Sequence, residues 1–177
     1  LSVLVDTGDL FVDGQESYGT NALLAFSAAL NESGNGRNSI SFVKNNIFSV
    51  GAYDSSPFDG AATYSNIEEA ISEYMSGNIS YNYSNPDGSY YYGSHYGNKA
   101  SGRNVYYATD PYWGEKAASN YFMIDHDLLG KELYSSKIGI KQTNTAVSVQ
   151  KEPNTLEENR LYLMKNNNSN KQVSNMS

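Results

Sequence analysis

The run from Thr20 to Ser33 reads Thr-Asn-Ala-Leu-Leu-Ala-Phe-Ser-Ala-Ala-Leu-Asn-Glu-Ser, apolar almost all round. A helix with no polar face has to be buried, so this stretch is expected to form the centre of the fold with the rest of the chain wrapped around it. Its four alanines and the absence of β-branched residues after Thr20 disfavour a strand. Thr20 or Asn21 can cap the start, and Gly34 supplies a left-handed stop. The one carboxylate in the run, Glu32, falls at its C-terminal end. Apolar surroundings and the negative end of the helix dipole both disfavour a charged carboxylate there, and so would raise its pKa. A carboxyl that keeps its proton near neutral pH is what general-acid chemistry requires. The pattern alone also allows a solvated Glu at a frayed helix end.

Three further stretches organise the chain. Residues 45–64 look extended and contain the turn cluster Ser55-Ser-Pro57-Phe-Asp59-Gly60, which predicts a small hairpin beside the helical core. Residues 65–77 open with the capping box Ser65-Asn-Ile-Glu68, place Ile67, Ala70, Ile71, Tyr74 and Met75 on one face, and end at Gly77. Asp110 and Pro111 open a third helix that runs to about Leu129, with Ala117, Ala118, Tyr121, Phe122, Ile124 and Leu128 inward and Gly130 closing it. Between the last two helices, residues 78–110 form a long polar loop rich in Tyr, Gly, Asn and Ser, and loops of that length are usually functional. Residues 1–16 read as an N-terminal arm, 17–142 as the main domain, and 143–177 as a C-terminal extension and polar linker with a short element at Leu161–Met164. The chain starts without Met and lacks a signal-peptide core, so it reads as part of a longer or processed protein.

Composition excludes several chemistries. With no cysteine, there is no disulfide, thiolate metal site or cysteine nucleophile. His95 and His126 stand far apart with no HExxH motif, which argues against a zinc hydrolase. No GxSxG elbow or phosphate-binding glycine loop is present. No cofactor or metal is expected. A net charge of −7 makes a poor nucleic-acid binder, and no apolar run is long enough to span a membrane. The 16 tyrosines suit either the faces and edges of sugar rings or a half-wet surface. If Glu32 is an acid for glycosidic bonds, a second anion is the usual companion, and Asp54 and Asp59 are candidates by position. Both also fit plain turn chemistry.

Six segments, taken in order, point to one family. Leu30-Asn-Glu32-Ser-Gly34-Asn-Gly36-Arg37 resembles the ESGxG catalytic-helix motif of glycoside hydrolase family 73. Asn45-Asn-Ile-Phe48 resembles its NNxF segment, Gly51-Ala-Tyr53-Asp54 its GAYD segment, and Ser65 to Tyr74 its SxxEAI-like helix. Gly97-Asn98-Lys-Ala-Ser-Gly-Arg-Asn-Val105 resembles the GNKASGxNV loop, and Tyr107-Ala-Thr-Asp-Pro-Tyr-Trp113-Gly-Glu-Lys116 the YATDPYWGEK signature.

The resemblance covers roughly residues 17–140 and implies an α+β, lysozyme-like fold, with a mainly helical lobe and a small β-hairpin lobe forming a substrate groove. It implies a secreted, cell-wall-associated autolysin domain that hydrolyses the GlcNAc-β-1,4-MurNAc bond of peptidoglycan glycan strands as a monomer, with wall-binding modules elsewhere in the full protein. Carried over by position, Glu32 is the general acid and Asp54 the second carboxylate. Tyr53, Tyr107, Asn98, Phe48 and Trp113 are substrate contacts, although Trp113 equally suits burial. An inverting, a covalent and a substrate-assisted route stay open. A non-catalytic wall-glycan binding module and a muramidase of the same fold are the alternative readings.

Overall fold

The side chain of Asn21 accepts a hydrogen bond from the Leu24 amide at 2.8 Å and so starts the central helix, α2 (Ala22–Glu32). A computed structural model of the chain describes residues 1–132 and, beyond them, the backbone of four strands. Ala25, Ala28 and Ala29 of α2 are fully buried, as a run without a polar face requires.

Residues 1–16, expected as an N-terminal arm, are packed on the core. They contribute most of α1 (Gly8–Tyr18), whose Phe11 packs edge-on against Phe26 at 5.2 Å and joins the core. An amphipathic helix with a buried Phe lowers its free energy by burying that face.

The turn Gly34–Arg37 leads into α3 (Ser39–Lys44), capped by Asn38, whose side chain accepts from the Ser41 amide. The segment expected as a β-hairpin, residues 45–64, carries only an isolated bridge between Tyr53 and Ser56 and a one-turn helix, α4 (Pro57–Gly60). The physical reason is Asn46. Its buried amide donates to the Val50 and Ala62 carbonyls at 2.9 and 3.0 Å and accepts from the Val50 amide at 3.0 Å. One side chain thereby takes the Val50 amide and the Ala62 carbonyl, and the backbone pairing left across the segment is the Ala62 amide on the Val50 carbonyl and the Tyr64 amide on the Lys44 carbonyl, both at 2.9 Å.

Next comes α5 (Ile67–Glu73), whose cap sits one residue later than the sequence suggests. Asn66 accepts from the Glu69 amide, and Glu69 reaches back to the Ser65 amide. Gly77 does not stop this helix. The chain continues as a π-helix, Tyr74–Ser84, which places Tyr74, Met75 and Ile79 fully in the core. π-Helical turns are uncommon and tend to occur at functional sites.

After a long loop and a 3₁₀ turn at Arg103–Val105, Asp110 accepts from the Tyr112 amide and α6 (Trp113–Asp127) packs on α2. Trp113 and Ala117 are buried. Phe122 and Leu128, expected inward, are 66% and 54% exposed, because the stripe that meets α2 begins at Trp113 and advances by four.

Beyond residue 132, β1 (Ile138–Ile140) pairs antiparallel with β4 (Gln172–Ser174), and β2 (Val147–Gln150) with β3 (Arg160–Met164). The element expected at Leu161–Met164 lies within β3, and β4 falls in the stretch read as polar linker. Among the described residues, no helix is long and apolar enough to cross a membrane.

Candidate active site

Glu32 ends α2, and three neighbours hold it there. The Glu32 carbonyl accepts from Asn38 Nδ2 and from Ser49 Oγ, both at 3.1 Å, which ties the last turn to the segments on either side. Ser33 Oγ accepts from the Gly36 amide at 2.7 Å and closes the turn beyond the helix. Glu32 Oε1 accepts a 2.6 Å hydrogen bond from Trp113 Nε1 at the start of α6. The indole can be set this close because of two glycines. A Cβ on Gly114 would run into the Gly97 carbonyl oxygen, and Gly97 has a left-handed φ of +67°. The loop therefore rests directly on the first turn of α6.

Burial pushes the Glu32 carboxyl up from its ordinary 4.5 to about 7, against the opposing effect of the Trp113 hydrogen bond. An indole N–H only donates, so Oε1 is an acceptor and Oε2 is left to carry the proton. Glu32 opens into a cleft of about 430 Å³ whose walls include Phe48, Ser49, Val50, Tyr53, Asp54, Tyr74, Tyr83, Tyr107 and Thr109. The floor is aromatic. Phe48 stacks on Tyr74 at 3.6 Å with rings almost parallel, and Tyr107 lies 4.2 Å from Trp113. Burial holds the Tyr74 and Tyr107 phenols well above their ordinary value, so both remain neutral hydroxyls rather than bases.

The cleft brings together Glu32, Phe48, Tyr53, Asp54 and Tyr107 from the residues singled out in the sequence. Asp54 is exposed and accepts a long 3.5 Å hydrogen bond from Thr109 Oγ1. Tyr53 is 70% exposed at the cleft wall. Trp113 is buried behind the carboxylate rather than lining the cleft, so it touches the acid and not the substrate space. Asn98 is not among the cleft residues. Its side chain accepts from the Ala100 and Ser101 amides and its own amide donates to the Ser101 carbonyl, so it builds the turn that seats Gly97 on Gly114. Asp59 lies in the exposed α4 and pairs with Ser56.

Sequence reading missed Tyr74 and Tyr83 as cleft residues, since core helix spacing accounts for the first and an open loop for the second. It also missed Arg103, which is buried with its Nη2 donating to Ser84 at 2.9 Å. A basic residue in a Tyr-rich segment was the available signal.

The family model described as "Glucosaminidase: Mannosyl-glycoprotein endo-beta-N-acetylglucosaminidase" matches residues 8–125, two thirds of the chain. Two proteins of Streptococcus pneumoniae, from serotype 4 and from a second strain, are each named "Putative endo-beta-N-acetylglucosaminidase" and are 39% identical over 131 residues. Those alignments cover 74% of this chain but only 19% and 18% of the two relatives, so the chain spans under a fifth of their length. Among solved structures, the crystal structure of S. aureus autolysin E is similar with a TM-score of 0.50 and 22% identity, covering 72% of this chain and 61% of that one.

Proposed function

Because the chain belongs to the glucosaminidase family, we propose that it hydrolyses the GlcNAc-β-1,4-MurNAc bond of peptidoglycan, with Glu32 as the general acid. The observation that carries this reading is the sheltered carboxyl on the cleft wall, about half protonated near neutral pH and oriented by Trp113. When a glycan strand lies in the cleft, Oε2 of Glu32 delivers its proton to the glycosidic oxygen. The bond from that oxygen to the anomeric carbon breaks, and the MurNAc part leaves as an alcohol. Positive charge develops on the remaining GlcNAc ring.

Two partners could meet that charge, the Asp54 carboxylate at the cleft wall or the substrate's own N-acetyl carbonyl oxygen. Asp54 is exposed and loosely held, which favours N-acetyl assistance over a covalent bond to the protein. Water then adds at the anomeric carbon, and ionised Glu32 takes its proton back. Tyr107, Tyr53 and Phe48 supply flat apolar contacts for sugar faces, and the neutral Tyr107 hydroxyl can hydrogen-bond a sugar oxygen.

In this reading the catalytic domain, expected at residues 17–142 and matched by the family model over 8–125, acts as a secreted, cell-wall-associated monomer. With a sequence pI near 4.7, charge would not draw it to anionic wall polymers, so wall attachment falls to modules elsewhere in the protein. The deciding experiment is mass spectrometry of purified peptidoglycan treated with the wild type and with Glu32→Gln. GlcNAc at the new reducing ends, absent with the variant, is the expected result. MurNAc ends would assign a muramidase, and binding without any new ends a non-catalytic module.

A further inference from the structure

A ladder of ring contacts leads from Glu32 to the open surface. Tyr107 lies 4.2 Å from Trp113, Tyr83 5.5 Å from Tyr107, Tyr90 5.4 Å from Tyr83, Tyr106 5.6 Å from Tyr90, and Tyr92 5.4 Å from Tyr106. The inner two tyrosines line the cleft. The outer three, Tyr90, Tyr106 and Tyr92, are 44%, 53% and 39% exposed. Adjoining aromatic rings left in water beside the cleft residue Tyr83 are an arrangement that core packing does not explain, and such patches mark binding surfaces.

The outer rings stand on fixed backbone. The Tyr90 amide donates to the Asn82 carbonyl of the π-helix, the Gly102 amide to the Tyr92 carbonyl, and the Tyr106 amide to the Arg103 carbonyl. Arg103, buried and bonded to Ser84, joins the π-helix to the segment bearing Tyr106. A platform of this kind presents rings in one arrangement at little entropic cost.

We propose that Tyr90, Tyr106 and Tyr92 form a distal glycan-binding ridge that holds sugars of the same strand beyond the pair being cleaved. This rests on the reading of the cleft as a glycan-cleaving site. Continuity decides the occupant. Tyr83 belongs both to the cleft wall and to the ladder, so a strand leaving the cleft past Tyr83 meets Tyr90 next. Tyrosine offers a ring for the C–H face of a sugar and a hydroxyl for its edge. Nucleic acid does not suit a chain of net charge −7. Binding energy gathered on the ridge can be used at the reacting bond, so long strands should be cleaved more efficiently than short ones.

The test compares the full 177-residue chain with Tyr90→Ala, Tyr106→Ala and, as a control, Tyr81→Ala, an exposed tyrosine outside the ladder. The substrates are purified glycan strands of defined length, from the shortest one cleaved upward. The ratio of kcat/KM on long strands to that on the shortest should fall about tenfold in the ridge variants and hold in the control, and Tyr106→Trp should restore it. An unchanged ratio in the ridge variants overturns the proposal.

A second measurement needs no ridge substitution. In the Glu32→Gln protein, long strands should protect Tyr90 and Tyr106 from nitration, read by peptide mass spectrometry, and leave Tyr81 reactive. Equal nitration with and without strands overturns the ridge, and protection given only by a wall protein would assign it to that partner instead. Should the wild type cleave no strand of any length, the parent reading fails. Cleavage with no dependence on length is the failure of the ridge alone.

Discussion

Trp113 Nε1 donates to Glu32 Oε1 at 2.6 Å across 81 residues of chain, and this one hydrogen bond joins the end of α2 to the start of α6. It lowers the pKa that burial raises, and it fixes which carboxyl oxygen carries the proton.

The first consequence is a pH profile. With Glu32 near 7, kcat/KM should fall on the alkaline side as the acid ionises around that pH. Trp113→Phe removes the interaction that lowers the pKa, so the alkaline limb should move to higher pH while the maximal rate drops. A limb that stays in place or moves to lower pH would contradict the assignment.

Stability should show the same group. The folded pKa of Glu32 is raised above its ordinary 4.5, so between about 4.5 and 7 the native state binds more protons than the unfolded one. Stability therefore falls as pH rises through this window. The penalty is complete above pH 7 and amounts to about 3 kcal/mol. Glu32→Gln removes the ionisation and leaves an oxygen able to accept from Trp113. Its melting temperature should match the wild type near pH 4 and exceed it at pH 8. Parallel curves across that range would mean the carboxyl is not sheltered in solution.

The two carboxylates should not be equivalent. Glu32→Gln is expected to lower kcat by about a thousandfold, in the range of a lost general acid. Asp54→Asn, at an exposed position with a 3.5 Å partner, should cost about tenfold. A loss with Asp54→Asn as large as that of Glu32→Gln, together with a trapped sugar–protein adduct, would replace N-acetyl assistance with a covalent route.

Asn46 governs the cleft wall. Its truncation to Ala orphans the Val50 amide and the Ala62 carbonyl, while the Val50 carbonyl keeps the Ala62 amide, and should destabilise the domain by about 2–3 kcal/mol by chemical denaturation. The wall from Val50 to Asp54 should loosen with it, visible as raised KM. A neutral effect on both would show that these backbone groups find other partners.

What the sequence determined by itself was local. A run of alanine and leucine with no polar face makes a buried helix wherever it lies, and Asn21, Gly34 and Gly130 mark helix ends by chemistry confined to one turn, whereas Asp110 stands before the helix that begins at Trp113. Glu32 was legible for the same reason, as the lone acid at the tail of that run. Asp54 and Tyr107 were found through a family pattern, and the fold places both on the cleft. Tertiary structure decided everything that depends on partners distant in sequence. No periodicity announces that Trp113 will donate to Glu32, that Asn46 will tie Val50 to Ala62, that Gly77 will sit inside a π-helix, or that Asn98 will hold the turn at Ala100 and Ser101. A helix is set by neighbours within a few residues, whereas a carboxyl pKa and a line of tyrosines are set by burial and by groups that meet only once the chain has closed around them.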